Sequence, residues 1–348
     1  MKNINLIKII YYIFTILISY VCLVIFFYFL SVYFFYENKA KNIWPIRDFQ
    51  IHYYFISGER MIWNGMKGCS KSNIKTIYEP VKGHCKNHKN IEYNVSYTFD
   101  EYGRIVPNRI NKKNKGIAIL GDSVAMGFGV NDHETFSNQL QILIKNIPVY
   151  NLGVESFSTK REIEYYINSM VYEKTDTVIF TYHQNDLEEN IINPSKKEYE
   201  DKTKDWEKHK TTVIINSDLR TKLSMYKQIL IYSINLFPRT FVNLIKKEPR
   251  PWLKNYEKNF EIHYLNFIKI FSEYEKFFEN KKVLFIYVNE WSKKFDNYKT
   301  GKDDKFSNLK FLKINLSNDD YYIIDDHLNI NGHRSIAEQL YKELQKIL

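Results

Sequence analysis

The chain has 348 residues, enough for one large domain with appendages. Its 50 Lys and Arg against 40 Asp and Glu leave a formal net charge of +10, but the basic residues are dispersed among acids rather than gathered on a nucleic-acid-binding module, so no nucleic acid partner is expected. The abundance of Tyr (28) and Phe (24) beside Ile, Lys and Asn reads as coding bias and carries no functional weight.

From Ile9 to Tyr36 there is no charged residue. As a helix, this run of roughly 28 residues is about 42 Å long at 1.5 Å per residue. A bilayer core of about 30 Å needs only about 20 residues. Tyr11, Tyr12, Tyr33 and Tyr36 suit the interfacial belts at its two ends. A cleaved signal peptide would have a shorter apolar core and a small-residue cleavage site, and Glu37-Asn38-Lys39-Ala40-Lys41 offers none. Residues 1–36 are therefore read as an uncleaved, single-pass membrane anchor. Lys2 and Lys8 before the run balance Lys39, Lys41 and Arg47 after it, so flanking charge does not set the orientation. Cys22 lies within the run, while Cys69 and Cys85 fit either one disulfide, which needs an oxidising compartment, or two buried thiols. The bulk of the chain is expected outside the cytoplasm, on the periplasmic or extracellular face.

Residues 37–110 form a membrane-proximal segment with strand-like stretches at Gln50–Ile56 and Tyr93–Phe99, and a turn at Asp100-Glu101-Tyr102-Gly103. From residue 111 to 348 strands and helices alternate. Gly116–Leu120 is a first strand. Glu134–Ile144 is a helix with Asp132 as its cap, and Val149–Leu152 is a second strand. Thr159-Lys160-Arg161-Glu162 opens a helix to about Tyr172, and Thr177–Tyr182 is a third strand. An insertion at about 195–251 follows, with thirteen Lys and Arg against seven Asp and Glu. Within it Leu223, Tyr226, Ile229, Leu230, Ile234 and Phe237 recur at helical spacing, read as a helical lid or ordinary packing against the sheet, with an amphipathic segment on an anionic membrane face as the alternative. Phe260, Tyr264, Phe267, Phe271, Tyr274 and Phe278 mark one face of a long helix, Val283–Val288 is a fourth strand, and Gly332–Leu348 is a closing amphipathic helix. Such alternation predicts a central parallel sheet with helices on both faces.

The chemistry gathers where strands end. Gly121-Asp122-Ser123 follows the first strand and presents a hydroxyl at its carboxyl end, the place where open α/β sheets keep their sites. A serine there needs a base and donors for an oxyanion. Asp325-Asp326-His327 offers the base: in an extended segment residues i and i+2 face one side, which pairs Asp325 with His327 and turns Asp326 away. Gly153 ends the second strand and lets a backbone N–H come close to a ligand. Asn185, after the third strand, can donate its amide to developing negative charge. His183 is a possible substrate contact, more simply read as a structural histidine, and His133 and His333 read as cap or packing residues. No His/Cys cluster has metal-ligand spacing, so neither metal nor cofactor is expected.

These segments resemble the SGNH/GDSL hydrolases. Gly121-Asp122-Ser123, with Gly127, Gly129, Val130, Asp132, Glu134, Thr135 and Phe136 behind it, is similar to the first block of that family. Gly153 is similar to the second, Asn185-Asp186 to the third, and Asp325-x-His327-Leu328-Asn329 with Gly332-His333 to the last. Tyr102-Gly103-Arg104 resembles the lead-in to the first block. The resemblance covers roughly 95–194 and 281–348. Two departures stand out: His183, rather than Gly, precedes Asn185 by two residues, and Asp325 is two rather than three steps from His327. The resemblance implies a three-layer flavodoxin-like α/β fold, Ser123 as nucleophile, His327 as base oriented by Asp325, and an oxyanion hole of the Ser123 and Gly153 N–H groups with the Asn185 side chain. It implies a serine esterase working through an acyl-enzyme on an ester or an acylated carbohydrate, such as O-acyl groups of envelope glycans. An O-acetyltransferase using the same triad, a lipid esterase and a non-catalytic envelope-assembly module are the alternatives.

Overall fold

The computed structural model describes residues 6–37, 39–41, 43, 46–47, 50–51, 69–111, 115–210, 234, 259–288, 301–303, 305–325 and 327–347. The N-terminal helix α1 runs Leu6–Tyr36, and its apolar stretch Ile7–Ser31, 25 residues, is long enough to cross a membrane. Most of its described side chains are exposed. Of the helix expected around 222–237 only Ile234 is described; it is helical, and its carbonyl accepts the Tyr20 hydroxyl of α1 (2.6 Å). The strand expected at Gln50–Ile56 begins instead with helical Gln50 and Ile51, and its remainder lies outside the described residues.

Eleven strands are described: β1 Ser70–Asn73, β2 Ile77–Pro80, β3 Gly83–Lys89, β4 Asn94–Asp100, β5 Gly103–Arg104, β6 Gly116–Gly121, β7 Val149–Asn151, β8 Thr175–Tyr182, β9 Lys282–Tyr287, β10 Gly301–Lys302 and β11 Leu309–Lys313. Seven further helices are α2 Ser123–Met126, α3 Phe136–Leu143, α4 Thr159–Ile167, α5 Asp186–Ile192, α6 Lys196–Lys210, α7 Phe260–Glu273 and α8 Ile330–Leu344. β1 and β2 form a separate hairpin; the others make one sheet of order β10-β11-β9-β8-β6-β7-β5-β4-β3. The stretch β7-β6-β8-β9-β11 is parallel. Numbered along the chain, these five strands stand 2-1-3-4-5, so the strand order reverses between β6 and β8, the position at whose carboxyl ends open α/β sheets keep their sites.

The centre of the sheet is parallel, as the alternation predicted, but the sheet as a whole is mixed. β5, β4 and β3 continue it antiparallel beyond β7, and β10 closes the other edge antiparallel. Short connections such as the turn between β4 and β5 can join only antiparallel strands. Cys69 and Cys85, at the start of β1 and within β3, form a disulfide with Cα atoms 5.6 Å apart.

Alternate residues of the central strands enter opposite cores. Leu120, Phe180 and Phe285 meet Tyr166 of α4 and Phe267 of α7, while Ile119, Ile179 and Leu284 meet Leu140 of α3 and Leu340 of α8. Strands covered on both faces carry continuous apolar runs, which is why Gly116–Gly121 is buried throughout. Each fully buried Leu, Ile or Phe contributes roughly 1.5–3 kcal/mol. Helix starts follow local chemistry. Thr135, not Asp132, caps α3, because Asp132–Glu134 forms a separate 3₁₀ turn begun by Asn131. Asn329 caps α8 by accepting from the Asn331 and Gly332 N–H groups.

His333 joins α8 to α3. It is buried, its Nδ1 accepts the Phe136 N–H (3.2 Å), and its ring stacks on Phe136. Burial, aided by Arg104 and His327, lowers its pKa from 6.5 to about 3. The unfolded chain therefore binds a proton that the folded one refuses, and stability falls as pH drops from about 6.5 towards 3. His333 is expected to contribute about 3 kcal/mol of the loss between pH 7 and pH 4. Unfolding free energies of wild type and His333→Asn measured across that range should converge at low pH; parallel curves would contradict this.

Candidate active site

β6 ends at Gly121, whose φ of +152° and close neighbours leave no room for a side chain: a Cβ would lie 2.6 Å from Ala125 Cβ and 2.8 Å from the Thr181 carbonyl. The chain then turns into α2. Asp122 caps this helix, its Oδ1 accepting the Val124 N–H (2.9 Å), and Ser123 is the first helical residue. The pairing of Gly121 with Thr181 and of Ile119 with Asn151 aligns the ends of β6, β8 and β7. Ser123, Gly153 and Asn185 thus leave the same end of the sheet, beside the reversal of strand order.

The loop between β11 and α8 reaches the same place. His327 Nε2 lies 2.8 Å from Ser123 Oγ, and His327 Nδ1 lies 2.5 Å from Asp325 Oδ1. Ser123, His327 and Asp325 are all buried, with Asp325 fully inaccessible. The Asp325 carboxylate accepts two further hydrogen bonds, from the His327 N–H on Oδ1 (3.1 Å) and from the Tyr93 hydroxyl on Oδ2 (3.0 Å). A buried carboxylate is tolerated when paired and hydrogen-bonded in this way. Phe128 stacks on the His327 ring at 4.0 Å between centroids and limits its rotation. Asp326 lies outside the described residues.

Asn185 is fixed on both sides. Its Nδ2 donates to Asp122 Oδ2 (2.9 Å) and its Oδ1 lies 3.0 Å from His183 Nδ1. Among the described residues the second Nδ2 hydrogen meets no acceptor and is available to a ligand. His183 thus orients the Asn185 amide. Asp122 ties the serine turn to Asn185, since Ser123 Oγ also lies 3.4 Å from its Oδ2. Behind Asp122, burial and then the neighbouring acidic groups push the Glu162 and Asp186 carboxyls well above the ordinary carboxylate range.

Gly153 departs from expectation in one respect. Its N–H donates to Asn151 Oδ1 (2.9 Å) in this structure. The need for glycine is steric: a Cβ here would strike the backbone of Ala125 and Met126. Asn151 itself donates to the Ala125 carbonyl (3.0 Å), so β7 and α2 are braced together. His133 is exposed beside Glu134 and takes no part in the site.

Three groups carry more of the geometry than the sequence suggested. Arg104 is fully buried and donates to the carbonyls of Met126 (2.5 Å), Gly127 (2.6 Å) and Val130 (2.7 Å) and to Asp132 Oδ1 (3.0 Å). It therefore holds the loop that carries Phe128, and its place in the Tyr102-Gly103-Arg104 lead-in was the one available signal. Glu92 and Tyr93, in the turn between β3 and β4, bond the 323–325 segment from more than 230 residues away, with no local signal at all. Among the described residues no group of three or more His, Cys, Asp or Glu side chains converges as metal ligands.

No family model matches the chain, and no curated protein matches it. Among solved structures it is similar to one described as a lipolytic protein of the G-D-S-L family from Desulfitobacterium hafniense DCB-2, with 12% identity and a TM-score of 0.34, over 66% of this chain and 99% of that one. A likeness of that extent carries no functional weight, and the side-chain geometry stands on its own.

Proposed function

We propose that the protein is a membrane-anchored serine esterase that works through an acyl-enzyme. The observation that carries this reading is the continuous chain of contacts from Ser123 Oγ to His327 Nε2 (2.8 Å) and from His327 Nδ1 to Asp325 (2.5 Å). Ser123 Oγ attacks the ester carbonyl carbon while His327 Nε2 takes the hydroxyl proton. Asp325 holds the imidazole in the tautomer with its proton on Nδ1 and stabilises the imidazolium that forms. The Ser123 N–H and the remaining Nδ2 hydrogen of Asn185 donate to the oxyanion, and Gly153 contributes space. As the intermediate collapses, His327 returns the proton to the leaving alcohol. Water, deprotonated by His327, then attacks the acyl-enzyme carbonyl carbon; as this second intermediate collapses the bond to Ser123 Oγ breaks, His327 gives its proton to Ser123 Oγ, and the acid is released.

The substrate proposed is an O-acylated glycan of the cell envelope. α1 would keep the site near a membrane, and the Cys69–Cys85 disulfide favours an oxidising, extracytoplasmic compartment. The sequence resemblance points the same way. The test is acetate release from an O-acetylated polysaccharide by the detergent-solubilised full chain. Asn185→Ala is expected to lower kcat by about 10²–10³ with little change in KM, since the amide acts on charge that develops only in the transition state. An Asn185→Ala protein with wild-type kcat would remove this group from the oxyanion site, and no acetate release by wild type would remove the proposed substrate.

A further inference from the structure

Beyond the residues that would meet substrate, the turn between β3 and β4 grips the loop carrying the proposed acid–base pair. Asn90 Oδ1 accepts the N–H groups of Glu92 (2.7 Å) and Tyr93 (2.9 Å), which sets the turn before it meets anything else. Glu92 Oε1 then accepts the Ile323 N–H (2.6 Å), and Oε2 accepts the N–H groups of Ile324 and Asp325 (2.9 Å each). One carboxylate thus satisfies three consecutive backbone donors in an irregular segment that leads straight to His327. Tyr93 completes the grip. Its hydroxyl donates to Asp325 Oδ2, which leaves Oδ1 for His327 Nδ1. Its ring packs against Tyr322 (5.1 Å) and Phe128 (6.2 Å), the ring that stacks on His327.

We infer that Glu92 and Tyr93 are positioning residues: they fix the 323–325 segment so that Asp325 presents one chosen oxygen to His327 and His327 stays within hydrogen-bond reach of Ser123. The inference rests on the esterase reading above. Neither residue touches a reacting atom, so both act through Asp325. Burial, against the pull of the three N–H donors and with the added charge of Asp325, raises the Glu92 carboxyl to about 7. The three backbone N–H donors offset part of the cost of burying this carboxyl group.

Two variants test this. Glu92→Gln keeps the shape but replaces one acceptor oxygen with an NH₂ that opposes a backbone N–H. Tyr93→Phe keeps the ring and deletes only the donor to Asp325. In the full-length chain in detergent, Glu92→Gln is expected to lower kcat about 10²-fold, the scale of a roughly 1 Å misplacement. Tyr93→Phe is expected to lower it about tenfold, the scale of one hydrogen bond to a charged group. KM should stay near wild type in both, and Glu92→Asp should recover less than wild-type but more than Glu92→Gln activity. Labelling of Ser123 by a fluorophosphonate should slow in parallel. Should Glu92→Gln fail to fold, Tyr93→Phe decides. Wild-type kcat in the folded variants, or a rise in KM at constant kcat, overturns the inference while Ser123 labelling in wild type leaves the esterase reading standing. No Ser123 labelling in wild type removes both.

Discussion

Ser123→Ala is expected to lower ester turnover on the order of 10⁶-fold, the loss seen when a nucleophile is removed from a triad that acts as a unit. The reason is local. The hydroxyl is the group that His327 Nε2 meets at 2.8 Å, so its removal leaves the base with no proton to take. Little else depends on it. The Ser123 backbone keeps its place in α2, Asp122 still caps that helix through the Val124 N–H, and the oxyanion donors remain. The residual rate should therefore be that of water attack aided only by the remaining donors and by binding, and the thermal unfolding midpoint should match wild type. The measurement is p-nitrophenyl acetate hydrolysis by the purified full chain beside a melting curve. Turnover within about tenfold of wild type would place the nucleophile elsewhere.

Arg104→Met is expected to cost about 3–5 kcal/mol of stability, the range for breaking a buried ion pair by removing one partner. Arg104 has no accessible surface and donates to three carbonyls of the 126–130 loop as well as to Asp132. Its guanidinium also lies over the Tyr97 ring at 4.6 Å. Methionine fills similar volume but leaves those carbonyls unpaired in the interior. The loop that holds Phe128 against His327 then loses its support, so activity should fall with stability. Thermal and urea unfolding in detergent check the prediction, and a loss below about 1 kcal/mol would contradict it.

What could be read from the sequence was whatever is local. Gly121-Asp122-Ser123 follows an unbroken apolar run, Asn185 comes three residues after a β-branched and aromatic strand, and Asp325-x-His327 is a spacing that extended backbone converts into a side-by-side pair. Each needs only a few neighbouring residues to be seen. The structure brings Ser123, His327 and Asp325 into contact and sets Asn185 beside them through Asp122. Glu92 and Tyr93 escaped because their meaning lies wholly in partners at 323–325, and a hairpin turn gives no hint of what it will touch. Gly153 was read as a donor near a ligand, whereas the tight passage of β7 past Ala125 and Met126 explains the glycine on steric grounds. The parallel centre was legible because strand–helix alternation begins at Gly116; the antiparallel extension was not, because the strands before Gly116 are joined by turns too short for helical crossovers.

The most direct measurement is the site of covalent capture. The full-length chain in detergent is treated with a fluorophosphonate, digested and examined by mass spectrometry, with His327→Ala beside it. The expected result is a single phosphonyl adduct on Ser123, formed at a rate that collapses in His327→Ala. An adduct on another residue, or labelling of Ser123 that proceeds equally well without His327, would contradict a serine nucleophile activated by that histidine.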